Sequence, residues 1–147
     1  MDKATARALA HQVHSGQRNR HGILVTEHLE HVAANVPDDA MTVAYLHDVL
    51  EHSDVTTQEL LDLGLTEDEH AALLLLTREP GESFEVHSLR IAFDRGPGGR
   101  IARAVKLADL DDHMNSPRVV GAPCYGWARQ HVTVCRDRYD AGTVVAA

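Results

Sequence analysis

Apolar residues recur every three or four positions along most of the chain, and no stretch alternates apolar with polar residues as a half-buried strand would. The pattern predicts an all-α domain. A first helix is expected over residues 2–14, with Ala6, Leu9 and Val13 near one face. Residues 15–26, SGQRNRHGILVT, read as a loop with a basic start, and a short helix is expected over 27–35. Pro37 breaks it, and Asp38 or Asp39 can cap a central helix over 39–51, whose inward positions are Ala40, Val43, Leu46, His47 and Leu50. Thr56-Thr57-Gln58-Glu59 and Thr66-Glu67-Asp68-Glu69 both fit a capping box, so two more helices start there, with Gly64 as the stop between them. Pro80-Gly81-Glu82 is a turn, and Ser83 caps a helix that runs to about 94. RGPGG, Arg95 to Gly99, lacks both glycine-rich phosphate-binding patterns and follows no strand, which makes it an inter-helix linker. A long helix over 100–115, a loop over 117–123 and a last helix over 125–139 complete a bundle of about seven or eight helices. Residues 1–147 form a single domain without repeats, with 141–147 expected to fray.

Length and composition then narrow the class. With 147 residues and 44% hydrophobic content, the chain is long enough to bury one core. Its formal charge is -8, from 22 acids against 14 bases, which argues against a nucleic-acid binder with a basic face. At 4% aromatic content a stacking platform for single strands is also disfavoured, so neither DNA nor RNA is an expected partner. A polyphosphate substrate would need metal ions or a local basic patch. Leu73 to Leu76 is far too short to span a bilayer, and MDKATARALAHQVH lacks the apolar core and cleavage site of a signal peptide. The expectation is a cytoplasmic protein with no membrane partner. Cys124 and Cys135 sit about 16 Å apart along one helix, beyond the roughly 7 Å Cα separation of a disulfide, and are expected to be reduced thiols.

Three segments place costly groups on faces that should be buried. In LHDVLEHSD, Leu46 to Asp54, His47 lies on the apolar stripe and Glu51 one turn beyond it. Asp48 is rotated by about 100°, which suits a second ligand reaching one ion from the side. Alone, such a His-Asp pair is more commonly a core histidine beside a solvated acid. In VKLADLDDHM, Val105 to Met114, Asp109 is in line with Ala102 and Val105, and His113 follows one turn later. Acids near a helix C-terminus are disfavoured by the helix dipole, so an exposed helix end explains this segment poorly. In EHLEHVA, Glu27 to Ala33, either His28 or His31 can face inward. Together, His28 (or His31), His47, Asp48 and Asp109 make a mixed nitrogen and oxygen donor set suited to Mn²⁺, Fe²⁺, Co²⁺ or Zn²⁺. Such an ion polarises phosphoryl oxygens and acidifies water, with Glu51 nearby to take the proton. His70 and His87 are further histidines that read as helix-surface or core residues, and Trp127, Tyr139, Met41 and Met114 read as packing residues.

The order His … His-Asp … Asp on successive helices resembles the HD-domain metal-dependent phosphohydrolases. More closely, HSGQRNRHGILVTEHLEHVA (His14 to Ala33), AYLHDVLEHSDVT (Ala44 to Thr56) and VKLADLDDHM are similar to HxGQxR…G…HPLxVA, ALLHDxxEDTxVT and VKLADLxxNM. These belong to the hydrolase domain of RelA/SpoT-type alarmone enzymes and their small stand-alone relatives, and the resemblance covers roughly residues 5–140. It implies a metal held by His28, His47, Asp48 and Asp109, with Mn²⁺ foremost and Fe²⁺, Co²⁺, Zn²⁺ or Ni²⁺ as alternatives. It further implies removal of the 3′-pyrophosphate from guanosine tetra- or pentaphosphate, with Glu51 as the water-activating acid. Arg18 and Arg20 fall in the segment that meets the nucleotide, and Lys106 can add to its charge. His52 stands where the family has a second catalytic acid, and His113 where it has an asparagine that holds nucleotide or water. Asn19 replaces an arginine, Leu24-Val25 replace Pro-Tyr, and Leu29 replaces a proline.

Three functions follow. The first is a metal-dependent phosphohydrolase of nucleotide polyphosphates. The second is a nucleotide phosphatase or a dinuclear metal enzyme of other chemistry. The third is a domain that binds a nucleotide without turning it over. A homodimer fits all three, and the sequence leaves the oligomeric state open.

Overall fold

Side-chain caps set where four of the described helices begin. Asp2 accepts the Thr5 N–H at 2.7 Å and starts α1, Lys3–Val13. A computed structural model describes residues 1–119 and 122–142 of the chain. The expected loop follows α1, pinched by a bridge between Arg18 and Leu24, and leads into α2, Val25–Ala34. After a 3-10 turn at Asp38–Ala40 come α3, Met41–Leu46, and α4, Val49–His52. Both predicted capping boxes form, at the starts of α5, Thr57–Asp62, and α6, Glu67–Leu76. Gly64 between them has φ +96, a left-handed conformation open to glycine. Ser83 caps α7, Phe84–Phe93, and the chain ends in α8, Gly99–Asn115, and α9, Pro123–Tyr139. Among the described residues no strand forms, as the all-α reading requires.

Helix α8 is the spine, packing against α2, α6, α7 and α9. Helix α3 packs on α1, α2 and α6 and closes the main core around Leu29, Val32, Val43, Leu46, Leu73 and Val105. The RGPGG linker brings α8 tightly against α6, where a Cβ at Gly98 would lie 2.3 Å from the Ala72 nitrogen. In the second turn of α8, buried Arg103 donates to the Ile91, Ala92 and Asp94 carbonyls at the end of α7 and to both Asp140 oxygens beyond α9.

Several expectations need correction. The helix predicted over 39–51 is interrupted at His47 and Asp48, where ψ opens to -24 and then to -7. The His47 ring explains the break: its Nδ1–H donates to the Ala44 carbonyl at 2.7 Å, the acceptor an unbroken helix would offer to the Asp48 N–H. Val49 becomes fully buried and Leu50 only half-buried. Helix α2 begins at Val25 rather than 27, and α9 at Pro123 rather than 125. Met114, expected to fill the core, is exposed. Lys106, whose common fate is the surface, is buried. Both cysteines are free. The fraying expected of the tail falls from 143 onward on residues outside those described, as do Val120 and Gly121 of the predicted loop. No described helix is long and apolar enough to cross a membrane.

One buried base gives the fold a pH signature. The His87 ring on α7 donates through Nε2 to the Leu75 carbonyl at 2.9 Å. Burial, then the Lys106 charge, push its pKa down to about 4 from 6.5. Between those values the unfolded chain takes up a proton that the folded chain refuses, so stability falls as pH is lowered from about 6.5 to about 4. His87→Gln keeps a donor for Leu75 and is expected to flatten this part of a Tm-against-pH curve. Parallel curves for the two proteins would remove His87 as the cause.

Candidate metal centre

The site is built where α2, the α3–α4 break and α8 meet. Helix α2 supplies His28, the break supplies His47 and Asp48, and α8 supplies Asp109. Donor atoms of His28, His47 and Asp48 lie within 4.8 Å of one another, as do those of His28, Asp109 and His113. Asp109 Oδ1 is the hub, 3.1 Å from His28 Nε2, 3.7 Å from His47 Nε2 and 3.2 Å from His113 Nε2. Asp48 Oδ1 stands 3.6 Å from His47 Nε2. Thus the open choice between the two α2 histidines resolves: His28 is buried against Asp109, whereas His31 is exposed and meets Asp112 at 2.9 Å.

The rings are oriented as metal ligands are. A ligating imidazole presents one nitrogen and donates its other N–H to an oxygen, which fixes the tautomer. His28 does this through Nδ1 to Asp112 Oδ2 at 2.6 Å, and His47 through Nδ1 to the Ala44 carbonyl. The His47 Nε2 atom that remains is buried and has no hydrogen-bond partner. A buried polar atom without a partner is costly, and this one faces Asp48 and Asp109. Donor chemistry and orientation therefore both fit a divalent first-row cation.

The acids hold the cluster's charge. Burial raises the Asp109 carboxyl, but the Lys106 charge and then the nearby His113 and His28 imidazoles hold it well below its ordinary value. Burial pulls the His28 imidazole down, but Asp109 and Asp112 outweigh it and push its pKa up to about 10. Burial likewise works against the His47 imidazole, and Asp48 and Asp109 reverse it. In the metal-free protein the His28 imidazole is thus a cation held by acids. Lys106 donates to Asp109 Oδ2 at 3.2 Å and lies over the Phe84 ring.

The centre opens into a pocket of about 380 Å³ lined by every predicted site residue, a size within the range of small-ligand sites. Glu51 and His52 are exposed at its rim, with donor atoms within 4.8 Å of each other and of Asp48. Arg18 and Arg20 also line it, but each is already engaged: Arg18 with the Gly22 carbonyl at 2.8 Å, Arg20 with the Tyr125 hydroxyl at 2.7 Å. Asn19 shapes the same loop, its Oδ1 accepting the N–H groups of His21 and Ile23. Gln17 fastens the loop to α4 by donating to the His52 carbonyl at 3.2 Å. His87 lines the pocket with its ring spent on Leu75, and His70 lies outside it.

Sequence reasoning passed over Asp112, Tyr125, Phe84 and Arg78. Asp112 had a signal: it is three residues after Asp109 and so reaches the same side of α8. Tyr125 had none, because its role depends on α9 folding back onto α8, where its ring lies 5.4 Å from His113 and 5.7 Å from Phe84. Among protein-family models none matches the chain, and no curated protein matches it.

Proposed function

We propose that the chain is a divalent-metal-dependent phosphohydrolase acting on a nucleotide polyphosphate, with guanosine tetraphosphate the first candidate. The observation that carries this reading is the meeting of His28 with His47 and Asp48 on one side and with Asp109 on the other, with the His47 Nε2 atom buried, unpartnered and turned toward the carboxylates. Manganese is the ion the resemblance favours. When bound, such a cation polarises a phosphoryl oxygen and lowers the pKa of water to about 7.

The chain's own residues supply the rest. Asp112 holds His28 in its ligating tautomer. Glu51, beside Asp48 at the solvent rim, is placed to accept the proton of the attacking water. Arg18, Arg20, Arg78 and Lys106 put four cations around a pocket in a chain of charge -8, the local positive charge a polyphosphate needs. Phe84 and Leu76 give one wall an apolar surface for a nucleobase.

The test is turnover by the metal-stripped protein after Mn²⁺ is restored. The panel is guanosine tetraphosphate, NADPH and ordinary nucleoside mono-, di- and triphosphates, followed by ion-exchange chromatography. Metal-dependent release of pyrophosphate from the tetraphosphate is the expected result. Cleavage of another nucleotide alone keeps the chemistry and discards the alarmone. No turnover across the panel with metal bound overturns the hydrolase reading in favour of a binding role.

A further inference from the structure

The resemblance assigns four protein ligands and leaves His113 at a substrate-contacting position. From the geometry we infer that His113 is instead a fifth ligand, a third imidazole on the same ion. This rests on the metal-centre reading above.

Consider first the separations. A cation bound to nitrogen and oxygen donors at about 2.1 Å places neighbouring donors about 3.0 Å apart in an octahedron and about 3.4 Å apart in a tetrahedron. His28 Nε2 and His113 Nε2 stand at 3.1 and 3.2 Å from Asp109 Oδ1, so His113 holds the same relation to the hub as an assigned ligand. The ring positions agree. An imidazole centroid stands about 3.2 Å from the ion it binds, so two rings whose bonds to the ion make a right angle have centroids about 4.5 Å apart. The His28 and His113 centroids are 4.6 Å apart, and those of His28 and His47 5.4 Å.

Consider next what else could position the ring. His113 lies one turn after Asp109 on α8, while its neighbours Met114 and Asn115 are exposed. Unlike His28 and His47, it gives no second N–H to an oxygen, its Nδ1 atom being buried and without a hydrogen-bond partner, and its polar engagement is with Asp109 through Nε2. Tyr125 packs on the ring nearly parallel, at 11°, and keeps it turned toward the cluster. Nothing in this arrangement requires an imidazole for packing alone.

The consequence is a change of preferred metal. Three imidazoles with two carboxylates favour Fe²⁺, Co²⁺, Ni²⁺ or Zn²⁺ over the harder Mn²⁺ that an oxygen-richer set accepts. The five donors also leave one position of a six-coordinate shell for water or substrate.

X-ray absorption of the Zn²⁺-loaded full chain counts imidazole ligands directly. The wild type is expected to show three, and His113→Asn two, with Zn²⁺ affinity lower by about 10- to 100-fold, at least what loss of a supporting group costs. Asparagine is small, polar and tolerated near a helix end, and the wild-type count stands even if that variant fails to fold. Two imidazoles in the wild type overturn the fifth ligand and leave the four-ligand centre intact. Failure of the wild type to bind Zn²⁺ or Mn²⁺ stoichiometrically overturns both.

Discussion

Asp48→Ala is expected to lower metal-dependent turnover by at least about 10³-fold, roughly 4 kcal/mol of transition-state stabilisation, while the metal-free protein melts within about 2 °C of wild type. Asp109→Ala is expected to lose as much turnover and to destabilise the metal-free protein as well. The two carboxylates differ in what they do without an ion. Asp48 is less deeply placed, 22% exposed against 12% for Asp109, and its nearest ionic contact is the long one to His47. Asp109 is the counter-ion of a buried cation cluster, bonded to Lys106 Nζ and ringed by three imidazoles. Removing one partner from a buried ion pair typically costs about 3–5 kcal/mol, because the remaining charge is left in a poor solvent. Two measurements separate the roles: turnover with saturating Mn²⁺, and thermal melts in chelator. Asp48→Ala retaining more than about a tenth of wild-type turnover would contradict the ligand assignment. Equal melting of the two variants in chelator would contradict the counter-ion role of Asp109.

What the sequence made legible was whatever a few neighbouring residues decide. The Thr56 and Thr66 capping boxes and the Ser83 cap set helix starts by contacts within four residues, and all three form where expected. The candidate donors were visible because a charged group on an apolar stripe violates a local pattern, as His47 and Asp109 do. The interruption at His47 was not visible, because a side chain competing for the Ala44 carbonyl changes the backbone without changing the hydrophobic period. Nor was the burial of Lys106. Its ammonium lies over the ring of Phe84 from α7 and meets Asp109, so the position depends on two helices docking. Tyr125 is similar, meeting Arg20 from a loop 105 residues earlier in the chain. Met114 failed for the opposite reason: an apolar residue at a helix end has no obligation to be buried.

Arg103→Met is expected to cost about 3–5 kcal/mol, a drop of roughly 10–15 °C in Tm for a chain of this size. The side chain is 3% exposed, and its guanidinium spans two structural seams at once. On one side it closes the carbonyl end of α7 at Ile91, Ala92 and Asp94, groups that a helix terminus leaves without partners. On the other it holds Asp140 with two hydrogen bonds, at 2.9 and 2.7 Å, tying the end of α9 to the second turn of α8. Methionine fills much of the same volume, so the loss measures hydrogen bonds and charge rather than a cavity. Arg103→Lys keeps the charge but offers a single ammonium where a planar fork now reaches five acceptors, and is expected to recover less than half of the loss. Asp140→Asn, which leaves the α7 carbonyls served, should be the mildest of the three. Urea titrations of all three variants, read as midpoints at constant slope, give the order. If Arg103→Lys is as stable as wild type, charge alone suffices and the fork geometry is irrelevant. If Arg103→Met costs less than about 1 kcal/mol, water serves the α7 carbonyls as well as the guanidinium does, and the seam between α7 and α9 is held by the packing of Ala92, Leu107 and Val132 instead.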